Sequence, residues 1–143
     1  MTQALCTSFK VEMLKAQHNF AAAGGHAFKV ALFKAAKTLN AGTQTYNSTD
    51  EVAASGTYVA GGFSLTNVDP SADGTTAMVT FSGNPQWTGV TFTDCTQALI
   101  YNFSQSDKAV AVLDFGGNQA VTAGTITINL PSATATTALL RFI

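Results

Sequence analysis

The chain is 143 residues long, 46% hydrophobic and only 10% charged, with a net charge of −1. Such a chain is long enough and apolar enough to fold as one domain around a single core, which excludes a disordered segment. Its seven basic residues are scattered and form no phosphate-binding patch, which excludes nucleic acid as a partner. No apolar run approaches the roughly 18–20 residues of a membrane span.

Residues 1–20 read as the one helical stretch. Leu5, Phe9, Met13, Ala16 and Phe20 recur at spacings of three and four, an apolar stripe on a 3.6-residue period. Thr7 or Ser8 caps a shorter version, and Gly24-Gly25 suits the C-terminal end. No basic segment followed by an apolar core and cleavage site marks these residues as a signal peptide. A lone helix of this length is marginal in water, so it packs on something. Two dispositions are open: across one end or face of a sheet, or out to a neighbouring subunit.

From His26 to Phe33 the pattern switches to period 2, the first strand. Lys34 to Ser55 is a long polar excursion with one weak strand at Thr43–Tyr46, and loops of that length are usually functional or contact-making. Short strands are expected at Thr57–Ala60, Phe63–Val68, Thr75–Phe81, Trp87–Thr93 and Cys95–Phe103, with turn clusters such as Asp69–Gly74 between them.

Lys108 to Leu130 organises the rest and reads as a hairpin-like pair. Ala109–Phe115 is apolar on both faces, as a covered central strand is. Thr125–Leu130 alternates strictly, placing Ile126, Ile128 and Leu130 on one face and Thr125, Thr127 and Asn129 on the other. Gly116-Gly117-Asn118 supplies the turn between them. Leu139–Ile143 closes the chain as a strand. Eight or nine short strands at spacings near ten residues define a mainly β protein: an antiparallel β-sandwich or jelly roll over residues 1–143, with one N-terminal helix.

No motif carries chemistry. Asp114-Phe115-Gly116 spells a kinase triplet without the rest of a kinase and reads as a strand end. Asn47-Ser48-Thr49 and Asn102-Phe103-Ser104 match the glycosylation pattern by chance. His18 and His26 form no metal-ligand pair, and Asp50, Asp69 and Asp73 serve turns. Cys6 and Cys95 read as free buried thiols. Trp87 is a core anchor or an interface anchor. No GxSxG elbow occurs, so the chain reads as a non-enzyme with no catalytic, cofactor or metal residues. The sparse charge has two readings, a surface packed inside an assembly or a neutral Thr-rich β-domain.

The succession CTSFKVEMLKAQHNF, HAFKVALFKAAKTLNAGTQTYNSTDEVAASGTYVAGG, QWTGVTFTDCTQALIYN and KAVAVLDFGG, followed by a terminal alternating strand, resembles a family of small virion structural proteins of tailed bacteriophages. The resemblance spans nearly the whole chain. Its most specific parts are the CTSFK segment, the Tyr58–Gly62 turn and the AVAVLDFGG strand. It implies a capsid cement or decoration protein that stabilises the head by bridging major capsid subunits. The alternative it implies is a neck, tail or fibre-attachment component. It further implies a homo-oligomer, with a trimer favoured, and a place in the virion after assembly in the bacterial host cytoplasm. A third reading is a carbohydrate-binding module, for which Tyr46, Tyr58 and Trp87 are the stacking candidates.

Overall fold

The computed structural model describes residues 1–143. In chain order the elements are β1 (Thr2–Leu5), α1 (Thr7–Leu14), β2 (Phe28–Phe33), β3 (Phe63–Ser64), β4 (Thr66–Asn67), β5 (Ser71–Asp73), β6 (Thr76–Val79), β7 (Phe81–Ser82), β8 (Gln86–Phe92), β9 (Gln97–Asn102), β10 (Lys108–Asp114), β11 (Val121–Thr127) and β12 (Leu140–Phe142). The protein is mainly β, an antiparallel sandwich with one N-terminal helix. One layer is a five-stranded sheet in the order β1-β10-β9-β2-β3. The pairs β11-β8 and β4-β7 and the triplet β12-β6-β5 make up the other. Side chains from both layers join in one buried apolar cluster.

Register explains why β2, β9 and β10 are buried almost throughout. Phe28, Val30 and Leu32 lie opposite Asn102, Ile100 and Ala98, and directly paired residues share a face. On that face Phe28 meets Phe81 of the second layer, with ring centres 5.7 Å apart, and stacks on Phe20 at 4.3 Å. On the other face Lys29, Ala31 and Phe33 pair with Tyr101, Leu99 and Gln97. The excursion from Lys34 to Ser55 covers this second face. It buries Leu39, Glu51 and Val52 and lays Tyr46 flat on Tyr101, 4.4 Å between rings. The weak strand expected at Thr43–Tyr46 is reduced to one bridge, Thr45 to Lys108. The excursion's inner side is therefore used within the chain.

The structure corrects the N-terminal expectation. Residues 1–20 are not one helix: Thr2–Leu5 forms β1 on the edge of β10, and only Thr7–Leu14 is helical. Adding a strand to β10 gives those backbone groups ladder bonds that a helical turn would forfeit. Ala16, at φ 56°, takes the left-handed conformation and ends α1. Phe9 and Phe20 from the expected stripe are buried, while Ala16 is exposed.

The expected hairpin does not form either. Both edges of β10 are occupied, by β1 and by β9, so β11 has nowhere to pair there. It joins β8 instead. Gly116, at φ +77°, turns the chain, and Asn118 anchors the exit by accepting from the Cys95 N–H and donating to the Thr93 carbonyl. The alternation itself holds: Ile128 is buried, Ile126 and Leu130 are half-buried, and Thr125, Thr127 and Asn129 face water. Thr57–Ala60 is a turn rather than a strand, closed by Ser55 and Tyr58 bonding each other's backbone. The runs Phe63–Val68 and Thr75–Phe81 each break into two short strands, and β1 and β5, the latter inside the expected Asp69–Gly74 turn, bring the count to twelve.

Candidate functional site

Two buried polar clusters stand out from the apolar core. The first surrounds Glu51, which is 8% exposed. Its Oε1 accepts from the Tyr58 hydroxyl at 2.6 Å and from the Gly61 N–H at 2.8 Å, and its Oε2 accepts from the Tyr46 hydroxyl at 2.7 Å. Tyr101 donates to the Gly61 carbonyl at 2.7 Å. The Tyr58 oxygen also accepts from the Leu32 N–H at 2.9 Å, where β2 has run past the end of β3. One phenol thus stands in for a missing strand partner. Burial pushes the pKa values of Tyr46 and Tyr58 up, and their bonds to the Glu51 carboxylate add to it. Burial raises Tyr101 as well, with the nearby Asp107 and Glu51 charges adding. These phenols are donors held in their neutral form, which suits a clasp between the covering loop and the sheet.

The second cluster is centred on Asn102, the last residue of β9, on the opposite face from Tyr101. His18 donates from Nε2 to Glu12 Oε2 at 2.8 Å, and Lys108 Nζ meets Glu12 Oε1 at 3.0 Å. The amide nitrogen of Asn102, wholly buried, reaches His18 Nδ1 at 2.9 Å and His26 Nδ1 at 3.0 Å. Burial lowers the His18 pKa below its ordinary value, more than the Glu12 carboxylate raises it. Burial alone would raise Glu12, but its bonds from His18 and Lys108 outweigh that and leave it lowered. The two histidines do come together in space, although their spacing in sequence gave no sign of it.

The other residues singled out from sequence have plain roles. Asp114 Oδ1 accepts from the Gly116 N–H and closes β10, Asp69 caps Ala22, and Asp73 caps Ala135. Of the two glycosylation matches, Asn47 is exposed and Asn102 is buried. Cys6 and Cys95 are free and buried, beside opposite ends of β10. Burial, with Glu12 adding to it, pushes the Cys6 thiol up to about 11, and burial with Asp94 pushes Cys95 up to about 12. Trp87 is 2% exposed and packs edge-on against Phe63, 5.9 Å between rings. Tyr58 is buried beside it and Tyr46 is stacked on Tyr101, so these three offer no open aromatic platform for a sugar ring.

The surface carries two distinctive stretches. From Phe115 to Leu140 no residue is charged. That stretch contains β11, which pairs with β8 on one side only. A shallow groove of about 540 Å³ opens beside the segment after α1, lined by Met13, Phe20, Pro70, Met78 and Phe142. Leu14 and Ile143 stand almost fully exposed. No helix is long and apolar enough to cross a membrane. No protein-family description, curated protein or solved structure matches the chain.

Glu51 was not singled out from sequence, and Asn102 only as the start of a chance glycosylation match. A signal existed for Asn102. It interrupts an otherwise apolar face of β9, and a polar residue there needs partners. Glu51 gave a weaker one, lying in a Thr- and Ser-rich loop with tyrosines on either side.

Proposed function

We propose that the chain is a structural protein of a bacteriophage virion, most specifically a capsid cement or decoration protein that bridges major capsid subunits as a homo-oligomer. The observation that carries this reading is the uncharged run from Phe115 to Leu140, which presents a one-sided strand, β11, at the surface. Soluble monomers usually blunt such an edge with charged side chains. A surface of Thr, Ser, Ala and Asn is cheap to desolvate against a neighbouring subunit. The sequence resemblance points the same way, and its Tyr58–Gly62 motif falls on the clasp that fixes the covering loop.

Quantitative gels of purified particles test the reading. A cement protein is present on the order of hundreds of copies per particle, and a neck, tail or fibre-attachment component at roughly three to twelve, as their symmetries dictate. Sedimentation of the purified chain tests the trimer. Absence from the particle, with a free monomer in the host cytoplasm, overturns the proposal and its alternative together.

A further inference from the structure

Between α1 and β2 the chain runs without regular structure; Asn67, Asp69 and Ser104 tie parts of it down, and Asn102 is the side chain that holds both of its histidines. Asn102 has two amide hydrogens, and each faces an imidazole Nδ1, one of His18 and one of His26. The orientation of the amide follows from its surroundings. The Asn19 backbone N–H also points at His26 Nδ1, at 3.3 Å, so that nitrogen is an acceptor and the amide atom facing it is a donor. His18 gives its Nε2 hydrogen to Glu12, which leaves its Nδ1 as an acceptor too. Each ring therefore presents its Nδ1 lone pair to the amide. The other end of the amide, Oδ1, is buried with no hydrogen-bond partner.

We propose that Asn102 is a proton-operated latch: it couples protonation of His18 and His26, so that mild acid releases residues 15–27 from the sheet in one two-proton step.

The coupling follows from the amide's two ends. A proton on either Nδ1 replaces a lone pair with an N–H that faces an N–H of Asn102. Turning the amide end for end brings the idle Oδ1 onto both rings, which satisfies two protonated rings but sets an oxygen against the lone pair of any ring still neutral. With one proton bound, a ring still neutral fits the turned amide only by moving its own proton to Nδ1, which sets the His18 Nε2 lone pair against the Glu12 carboxylate or leaves the Asn19 N–H without its acceptor at His26. The doubly protonated state does not rest quietly inside the fold. The charged groups around His18 are Glu12 from α1, Lys108 from β10 and His26 itself. Glu12 is already paired with Lys108, and His26 has only Gln105 Nε2, at 3.5 Å, beyond the latch. The Asn19 N–H would also lose its acceptor. Two adjacent imidazolium ions beside Lys108 gain more from water than from this pocket. Opening carries Phe20 away from Phe28 and takes away the wall that residues 16–21 give the neighbouring apolar groove.

Histidine ring resonances and backbone amide exchange, followed against pH on the full chain, test this. Both rings should move in one common transition steeper than a single-proton curve. Corrected for intrinsic rate, opening of Phe20–Ala27 should rise about 100-fold per pH unit for two protons, against about 10-fold for one. Amides of β9 and β10 should keep their protection over the same range. Asn102→Asp should move ring protonation to higher pH, because a carboxylate accepts from both protonated rings. Should that variant not fold, His26→Gln should leave His18 titrating as a single proton. Independent single-proton curves for the two rings, or amides of 15–27 that stay protected while the rings titrate, would overturn the latch.

Discussion

Taking the hydroxyl from Tyr58 measures the clasp under β2. Tyr58→Phe leaves the buried Leu32 N–H without an acceptor and removes a donor from Glu51. An unsatisfied buried group costs about 1–3 kcal/mol, more where a charge is involved. Urea denaturation should therefore show a loss of about 2–4 kcal/mol; a loss under about 0.5 kcal/mol would mean that water replaces the phenol. His18 and Glu12 make stability depend on pH. His18 is a base whose pKa is lowered on folding from 6.5, so the unfolded chain takes up its proton first as pH falls. Stability from its neutral form is complete above 6.5 and declines as pH drops below it. Glu12 is an acid whose pKa is lowered from 4.5, so its contribution is present above 4.5 and is lost as pH falls through the lowered value. Both act in the same direction. The melting temperature should fall from pH 7 towards pH 5, and His18→Gln should flatten that slope; an unchanged slope would show that His18 is not the titrating group. None of this was legible from spacing, because His18, His26 and Asn102 meet only through the fold.

At the scale of elements, what was legible followed one rule: alternation survives wherever a strand has one wet face and one dry one. Val90 and Phe92 on β8 and the Ile and Thr faces around β11 sit as their periodicity indicates, whereas Trp87 reaches the buried side of Val90 through a bulge at Gly89. Two things were not legible. Pairing partners were hidden, because β10 looks the same from sequence whether its edge is taken by β11 or by β1. The end of α1 was hidden as well, because the stripe from Leu5 to Phe20 continues through Ala16, where the backbone turns left-handed. The Tyr58–Gly62 turn shows how tightly such joints are built. Gly62 sits at φ +77°, and a Cβ there would run into the Val30 carbonyl oxygen of β2. Gly116 has the same φ, but open space around it. The left-handed conformation alone costs an L-residue about 1–2 kcal/mol. Gly116→Ala should lose about that much in denaturant, while Gly62→Ala should lose more than about 3 kcal/mol or fail to fold, because backbone must move as well. Equal costs at the two sites would refute the steric account of the turn.

Over the whole molecule, pairs of opposite charge contribute little to what holds the fold together. There are two ion pairs, Lys108 and His18, and both close on Glu12. With a net charge of −1 there is little self-repulsion for salt to relieve. The cohesion lies instead in one apolar cluster shared by both layers and in neutral hydrogen bonds such as the Asn118, Asn67 and Tyr58 tethers. Ionic screening acts on none of these, because it weakens interactions between charges that water already reaches. At pH 7, where His18 is neutral, the Glu12–Lys108 pair is the one ionic contact left, and Lys108 is partly open to solvent. An exposed pair of that kind is worth about 0–1 kcal/mol. Raising sodium chloride from about 0.05 M to about 0.5 M at pH 7 should thus shift the melting temperature by no more than about 2–4 °C, the share of a contribution that small in a domain of this size. If neighbouring subunits cover the exposed part of the uncharged run from Phe115 to Leu140, particles should likewise retain the chain across that salt range. Release of the chain as salt rises would show that the contact is made by the scattered lysines and aspartates instead, and would remove the uncharged face from its place in the proposed assembly.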